Sequence, residues 1–235
     1  MTTASRPGPR VTAAVPLLLA AALLAACDQA SELPGTDPAP PSASGGGGTT
    51  AGTTLPGLPE PAEARALLDG LTVADAGSMS GYSRDRFPHW AERDGCTVRQ
   101  LVLERDGEDV TAGDDCQPAS GTWTSAYDGE TFTEPGDLDI DHMVPLANAW
   151  RSGADEWTDD EREAFANDLD APQLLAVSAA SNRSKGDQGP DEWLPPAEDF
   201  HCTYAVAWTA VKDTYGLTVT AAERDTLAGL LDGCA

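Results

Sequence analysis

An adjacent Asp141-His142 pair sits near the end of the run Asp137-Leu138-Asp139-Ile140-Asp141-His142-Met143-Val144-Pro145, and Asn182 follows forty residues after His142, within Ser181-Asn182-Arg183-Ser184-Lys185-Gly186. Carboxylate and amide oxygens are ligands for a hard divalent cation, and a neutral imidazole takes up a proton near neutral pH. A cation that neutralises a phosphate, beside a base that activates water, is the equipment for hydrolysing a phosphodiester. An Asp-His pair by itself is usually an ordinary hydrogen-bonded pair. The downstream Asn-Arg-Ser-Lys-Gly run gives it weight here.

These side chains need elements to carry them. Residues 137–144 alternate carboxylates with Leu138 and Ile140, the pattern of a strand with one polar face, and Pro145 ends it. Strict alternation throws Asp141 and His142 to opposite faces, so the strand must end or twist there for both to reach one phosphate. Asp139 shares the face of Asp141 and is expected to be a solvated carboxylate. Leu174–Ser178 reads as a short apolar strand, and residues 179–184 open a turn or helix that Gly186 interrupts. Further helices are expected over 62–71, 146–150, 158–167, 204–215 and 221–231, with Thr158 and Glu161 forming a capping box. Residues 97–105 admit either a helix or a strand, 81–90 a loop around Pro88, and 121–132 a hairpin turning at Asp128-Gly129. The expected class is α+β, mostly helical with short strands.

Asp141-His142-Met143-Val144-Pro145, Leu174 to Ser178 and Asn182-Arg183-Ser184-Lys185-Gly186 together resemble the HNH, or ββα-metal, nuclease motif. The chain most resembles actinobacterial HNH-family secreted lipoproteins related to the C-terminal domain of GmrSD restriction endonucleases. The likeness extends through Cys96–Arg105, Gly121–Trp123, Tyr127–Gly129, Trp150–Ala154 and Pro190–Pro195. It implies a ββα-metal (His-Me finger) core within the helical domain, and an endonuclease acting on nucleic acid, DNA in the first place. By that resemblance His142 is the general base, Asp141 and Asn182 hold one Mg²⁺ or Mn²⁺, and Lys185 or Arg183 gives the phosphate a charged hydrogen bond. Gln173, nine residues before Asn182, stands where such motifs place an Asn that braces the loop carrying the His. An Asn-carboxylate pair is a hard oxygen set and favours Mg²⁺ over Zn²⁺. Two alternatives stay open: a non-catalytic surface binding module on the same scaffold, and phosphodiester chemistry on a nucleotide or an envelope polymer.

The remainder of the chain sets the context. Arg6 and Arg10 precede an apolar run over 11–26 that stops at Cys27, the layout of an export signal over 1–27. Leu24-Ala25-Ala26-Cys27 resembles a bacterial lipobox, which implies lipidation at Cys27 and an extracytoplasmic protein held at the membrane through that lipid or released. Residues 28–62, rich in Pro, Gly, Ser and Thr, read as a flexible tether, and 63–235 as one domain. No protein partner is inferred, and a monomer is expected. Cys96, Cys116, Cys202 and Cys234 read as two disulfides rather than a zinc site, since the chain is exported and has no C-x-x-C pair. Three pairings exist; proximity favours Cys96–Cys116 with Cys202–Cys234. The formal charge of −25, from 14 Lys and Arg against 39 Asp and Glu, excludes a protein that holds DNA through a broad basic face. Lys185 and Lys212 are the only lysines. Arg84, Arg86 and Arg99 are candidate phosphate contacts, each expected to be solvated charge. His89, His201, Trp123, Trp150, Trp157, Trp193 and Trp208 are expected to be packing residues.

Overall fold

Polar residues placed three apart decide where several helices start. Thr97 with Gln100, Thr158 with Glu161 and Thr220 with Glu223 each form a reciprocal capping box, satisfying amides that a first helical turn leaves unpaired. The first of these boxes settles the segment whose apolar pattern admits either state: residues Val98–Asp106 are helical.

The structure, a computed structural model, describes residues 55–234. The export signal, Cys27 and the tether up to residue 54 lie outside the described residues. The helices are α1 (Pro61–Gly70), α2 (Val98–Asp106), α3 (Leu146–Arg151), α4 (Asp159–Ala166), α5 (Ala179–Lys185), α6 (His201–Thr214) and α7 (Ala221–Asp232). The strands are β1 (Glu92–Arg93), β2 (Cys96–Thr97), β3 (Glu108–Ala112), β4 (Pro118–Thr124), β5 (Thr131–Phe132), β6 (Leu138–His142) and β7 (Leu174–Ser178). The class is α+β. Strands pair antiparallel as β1-β2, β3-β4-β5 and β6-β7. The domain takes in more chain than composition indicates: Leu55 is buried in the main core and α1 begins at Pro61, so 55–62 belong to the fold rather than the tether. Glycine and proline act there as turn residues. Gly57, at φ +61, passes so close to Asp170 that a Cβ would lie 2.6 Å from its carbonyl oxygen.

The β6-β7 pair is buried on both sides, which explains the unbroken apolar run of β7. Leu138, Ile140, Leu174 and Ala176 pack on Val98, Val102 and Leu103 of α2 and on Trp123 of β4, while Leu175 and Val177 face the larger core around α3 and α6. Side chains close the outer edge of β7: Asp106 accepts from the Ala176 amide at 2.8 Å, and Arg105 donates to the Leu174 carbonyl at 2.5 Å. That arrangement stops the sheet at two strands. Disulfides Cys96–Cys116 and Cys202–Cys234, with Cα separations of 5.6 and 5.5 Å, tie β2 to the approach to β4 and α6 to the end of α7. The pairing favoured by proximity is the one formed.

Candidate active site

β6 delivers His142 at its end, and Gln173, just ahead of β7, pins the turn beyond it. Met143 N donates to the Gln173 carbonyl at 2.6 Å. The buried Gln173 side chain then accepts from Val144 N at 3.1 Å and donates to Val144 O at 3.0 Å. One amide thus holds both backbone groups of a single residue, two positions beyond His142. Pro145 starts α3 immediately afterwards.

The His142 Nε2 lies 3.0 Å from the Ala166 carbonyl at the end of α4. A carbonyl only accepts, so Nε2 carries the proton and Nδ1 keeps its lone pair. Burial holds the ring's pKa down, to about 3, so the imidazole is neutral at ordinary pH. An anion brought beside it favours the imidazolium that proton uptake would create. Its walls are aromatic: the Trp90 ring lies 6.0 Å away and His89 6.4 Å, edge-on. Trp90 takes φ +66, a conformation that bulky residues avoid. His89 Nδ1 donates to the Phe87 carbonyl at 2.8 Å. His201, the remaining histidine, bonds the Pro195 carbonyl at 2.7 Å and is structural.

Asp141 points to the other face, as alternation requires, and meets buried donors there. Lys185 Nζ reaches Asp141 Oδ2 at 2.5 Å, and Tyr127 Oη reaches the same oxygen at 2.6 Å. Lys185 also donates to the His142 carbonyl at 2.8 Å and is 0 % exposed. The expectation that Lys185 contacts a substrate phosphate is therefore corrected. Its position in the last turn of α5, packed on β6, threads the stem between Tyr127 and Trp208, each ring 5.8 Å from Nζ, and leaves no path to solvent. Burial lowers the Lys185 pKa, and the Asp141 carboxylate opposes that. Asp141 Oδ1 accepts no hydrogen bond from the described residues.

Asn182 lies one turn earlier on α5. Its Nδ2 donates to Asp139 Oδ2 at 3.0 Å, leaving its Oδ1 unengaged among the described residues. Asp139 is thus the partner of Asn182 rather than a solvated carboxylate. Asp128, in the hairpin turn, holds the start of α5 by accepting from Ser178 and, at 2.6 Å, from Ser181. Burial pushes the Asp128 carboxyl up, but the two serine hydroxyls help to outweigh it and hold it below its ordinary value.

A cleft of about 240 Å³ opens at the end of β6, lined by Tyr82, Arg84, Ile140, Asp141, His142, Pro145, Leu146, Ala147, Asn182, Gly186 and Asp187. Asp141, His142 and Asn182 therefore share one opening although the first two occupy opposite strand faces. The turn into Pro145 supplies the shared access. Arg183 is exposed on α5 and is not among the lining residues. Gln173 is buried behind the cleft. The Tyr127 contact with Asp141 is not legible in the sequence, where Tyr127 is marked only by the likeness over Tyr127–Gly129 and by the turn at Asp128-Gly129. Among the described residues no group of three His, Cys, Asp or Glu side chains is placed to hold a metal. Asp141 Oδ1 and Asn182 Oδ1 are two hard oxygens, a set that fits a cation which keeps several waters and takes further ligands from a phosphate.

Residues 96–230 match the family of GmrSD restriction endonucleases, C-terminal domain. The chain belongs to this family. As a GmrSD C-terminal-type domain it belongs to a nuclease-related family, and the matched region includes β6, β7 and α5 and starts after the cleft residues Tyr82 and Arg84. It is also 50% identical over 182 residues to a protein of Arthroderma benhamiae described as an uncharacterized secreted protein, covering 77% of this chain and 89% of that protein. No solved structure matches the chain.

Proposed function

We propose that the protein is a secreted endonuclease that hydrolyses phosphodiester bonds of nucleic acid, with His142 as general base and one divalent cation, Mg²⁺ or Mn²⁺, on Asp141 and Asn182. The observation that carries this reading is the convergence on one cleft of a neutral imidazole and two oxygens left unengaged by their neighbours. When bound, such a cation stabilises charge on the phosphate and on the leaving oxygen. His142, its Nε2–H held by Ala166, accepts the proton of the attacking water at Nδ1. Lys185 and Tyr127 orient Asp141, and Gln173 fixes the loop behind His142. The β6-β7-α5 arrangement is the one an HNH, ββα-metal site would use. Secretion is supported by the two disulfides and by the secreted relative. Lipid anchoring at Cys27 rests on the lipobox resemblance.

Plasmid incubated with the soluble domain and Mg²⁺ tests the reading. Wild type should nick and linearise it, and His142→Ala should lower the rate by roughly 10²–10⁴-fold. Equal inertness of both proteins across several divalent metals would sink the proposal. A second reading, a non-catalytic binding module on this scaffold, is favoured by the lack of a three-ligand cluster among the described residues. Calorimetry that finds no Mg²⁺ or Mn²⁺ uptake by the folded domain would favour it.

A further inference from the structure

With Lys185 buried under Asp141, a cationic side chain that holds the phosphate must come from elsewhere in the cleft wall. We propose that Arg84 is the residue that grips the substrate's phosphodiester, an inference that rests on the nuclease reading above.

Arg84 lines the cleft with Asp141, His142 and Asn182. Three other arginines are already engaged. Arg86 lies 5.2 Å over the Trp150 ring and 3.8 Å from Asp159. Arg151 donates to the Asp187 carboxylate at 2.6 Å and to its carbonyl at 2.7 Å. Arg99 is tied to the Pro135 and Leu138 carbonyls at 3.1 and 3.0 Å. The Arg84 side chain makes no hydrogen bond or ion pair among the described residues, in a chain where acids outnumber bases by 39 to 14. A guanidinium fork left open beside a cleft is suited to the two oxygens of a phosphate.

The backbone under Arg84 is held, so the open guanidinium sits on a firm base. Arg84–Arg86 form a short 3-10 turn, followed by Phe87, which is fully buried. The Phe87 ring packs edge-on against Trp150 at 6.3 Å and Phe165 at 6.2 Å. The buried Arg162 donates to the Arg86 carbonyl at 3.1 Å, and Asn167 to the Pro88 carbonyl at 2.7 Å. The turn lies ahead of the residues matched to the family.

Arg84→Ala, Arg84→Lys and the remote control Arg224→Ala separate the possibilities. For Arg84→Ala we expect kcat/KM on a labelled DNA duplex with Mg²⁺ to fall on the order of 100-fold. Duplex binding in EDTA, followed by anisotropy against salt, should lose about 0.9 from its log–log slope, the signature of one phosphate contact. Arg84→Lys should recover part of both, because it restores charge without the fork. Mn²⁺ affinity and the unfolding midpoint should stay at wild-type values throughout, as should the kinetics of Arg224→Ala. An active wild type with an Arg84→Ala of equal kcat/KM and equal salt slope overturns the role of Arg84 and leaves the nuclease reading standing. A wild type that neither cleaves nor binds the duplex overturns both.

Discussion

The protein's two lysines are both fully buried and both paired with a carboxylate, with Trp208 between them at 5.8 and 5.9 Å. They nevertheless do different things. Lys212 donates to Asn148 Oδ1 and Ser152 Oγ at 2.7 Å each and to the Thr218 carbonyl at 2.9 Å, with Glu223 Oε1 at 3.2 Å. Glu223 also accepts from Trp208 Nε1 at 2.5 Å and caps α7. Every charge in that cluster is answered by protein groups, and the cluster joins α3, α6 and α7. Around Lys185 the donors crowd onto a single oxygen. Lys185 and Tyr127 both bond Asp141 Oδ2, so the carboxylate is held from behind while Oδ1 is left without a partner among the described residues. The same buried pair closes a helical layer in one place and leaves a carboxylate oxygen open in the other.

Removing the ammoniums tests that contrast most severely. Lys212→Met strands Glu223 in the interior and should cost about 3–5 kcal/mol by urea unfolding, with Mn²⁺ affinity of the folded protein unchanged. Lys185→Met should lose a similar amount, and in addition bind Mn²⁺ roughly 10–100-fold more weakly, because the ligand's orienting partner is gone. Wild-type Mn²⁺ affinity in folded Lys185→Met would erase the distinction between the two lysines.

Tyr127→Phe removes the other donor to Asp141 without stranding a charge. It should cost about 1.5–3 kcal/mol, the range for a hydrogen bond to a charged group. Its Mn²⁺ affinity should also fall, which titration calorimetry would read, whereas an affinity equal to wild type would leave orientation to Lys185 alone.

Acid separates the two regions more gently. The His142 pKa is pushed down by burial from 6.5 to about 3, so the unfolded chain takes up this proton before the folded one. The stability linked to His142 is therefore complete above 6.5 and drains away as pH falls toward 3. Urea midpoints measured downward from neutral pH should decline less steeply in His142→Phe than in wild type. An unchanged slope would mean that the ring is not kept neutral by burial.

Much of the scaffold is legible in the chain itself. The capping residues mark helix starts, the alternation over 137–144 marks a strand, and proximity pairs the cysteines, because these signals are local. Gln173 is legible as a brace only through the resemblance to the motif, which places a bracing amide at its position. Local signals leave obscure who answers whom. A lysine beside a motif asparagine reads as a phosphate contact until α5 packs on β6 and buries it. Asp139 reads as solvated until Asn182 arrives above it. Arg84 reads as one surface charge among several until Arg86, Arg99 and Arg151 are seen to be engaged.

Residue type and spacing by themselves therefore determined the groups on offer: an imidazole, carboxylate and amide oxygens, two cystines and an excess of acidic side chains. Only the tertiary structure decided which oxygen of Asp141 is held, which nitrogen of His142 keeps its lone pair and which guanidinium is left open at the cleft. Those choices depend on contacts between residues far apart in sequence, and on burial, which no local pattern encodes.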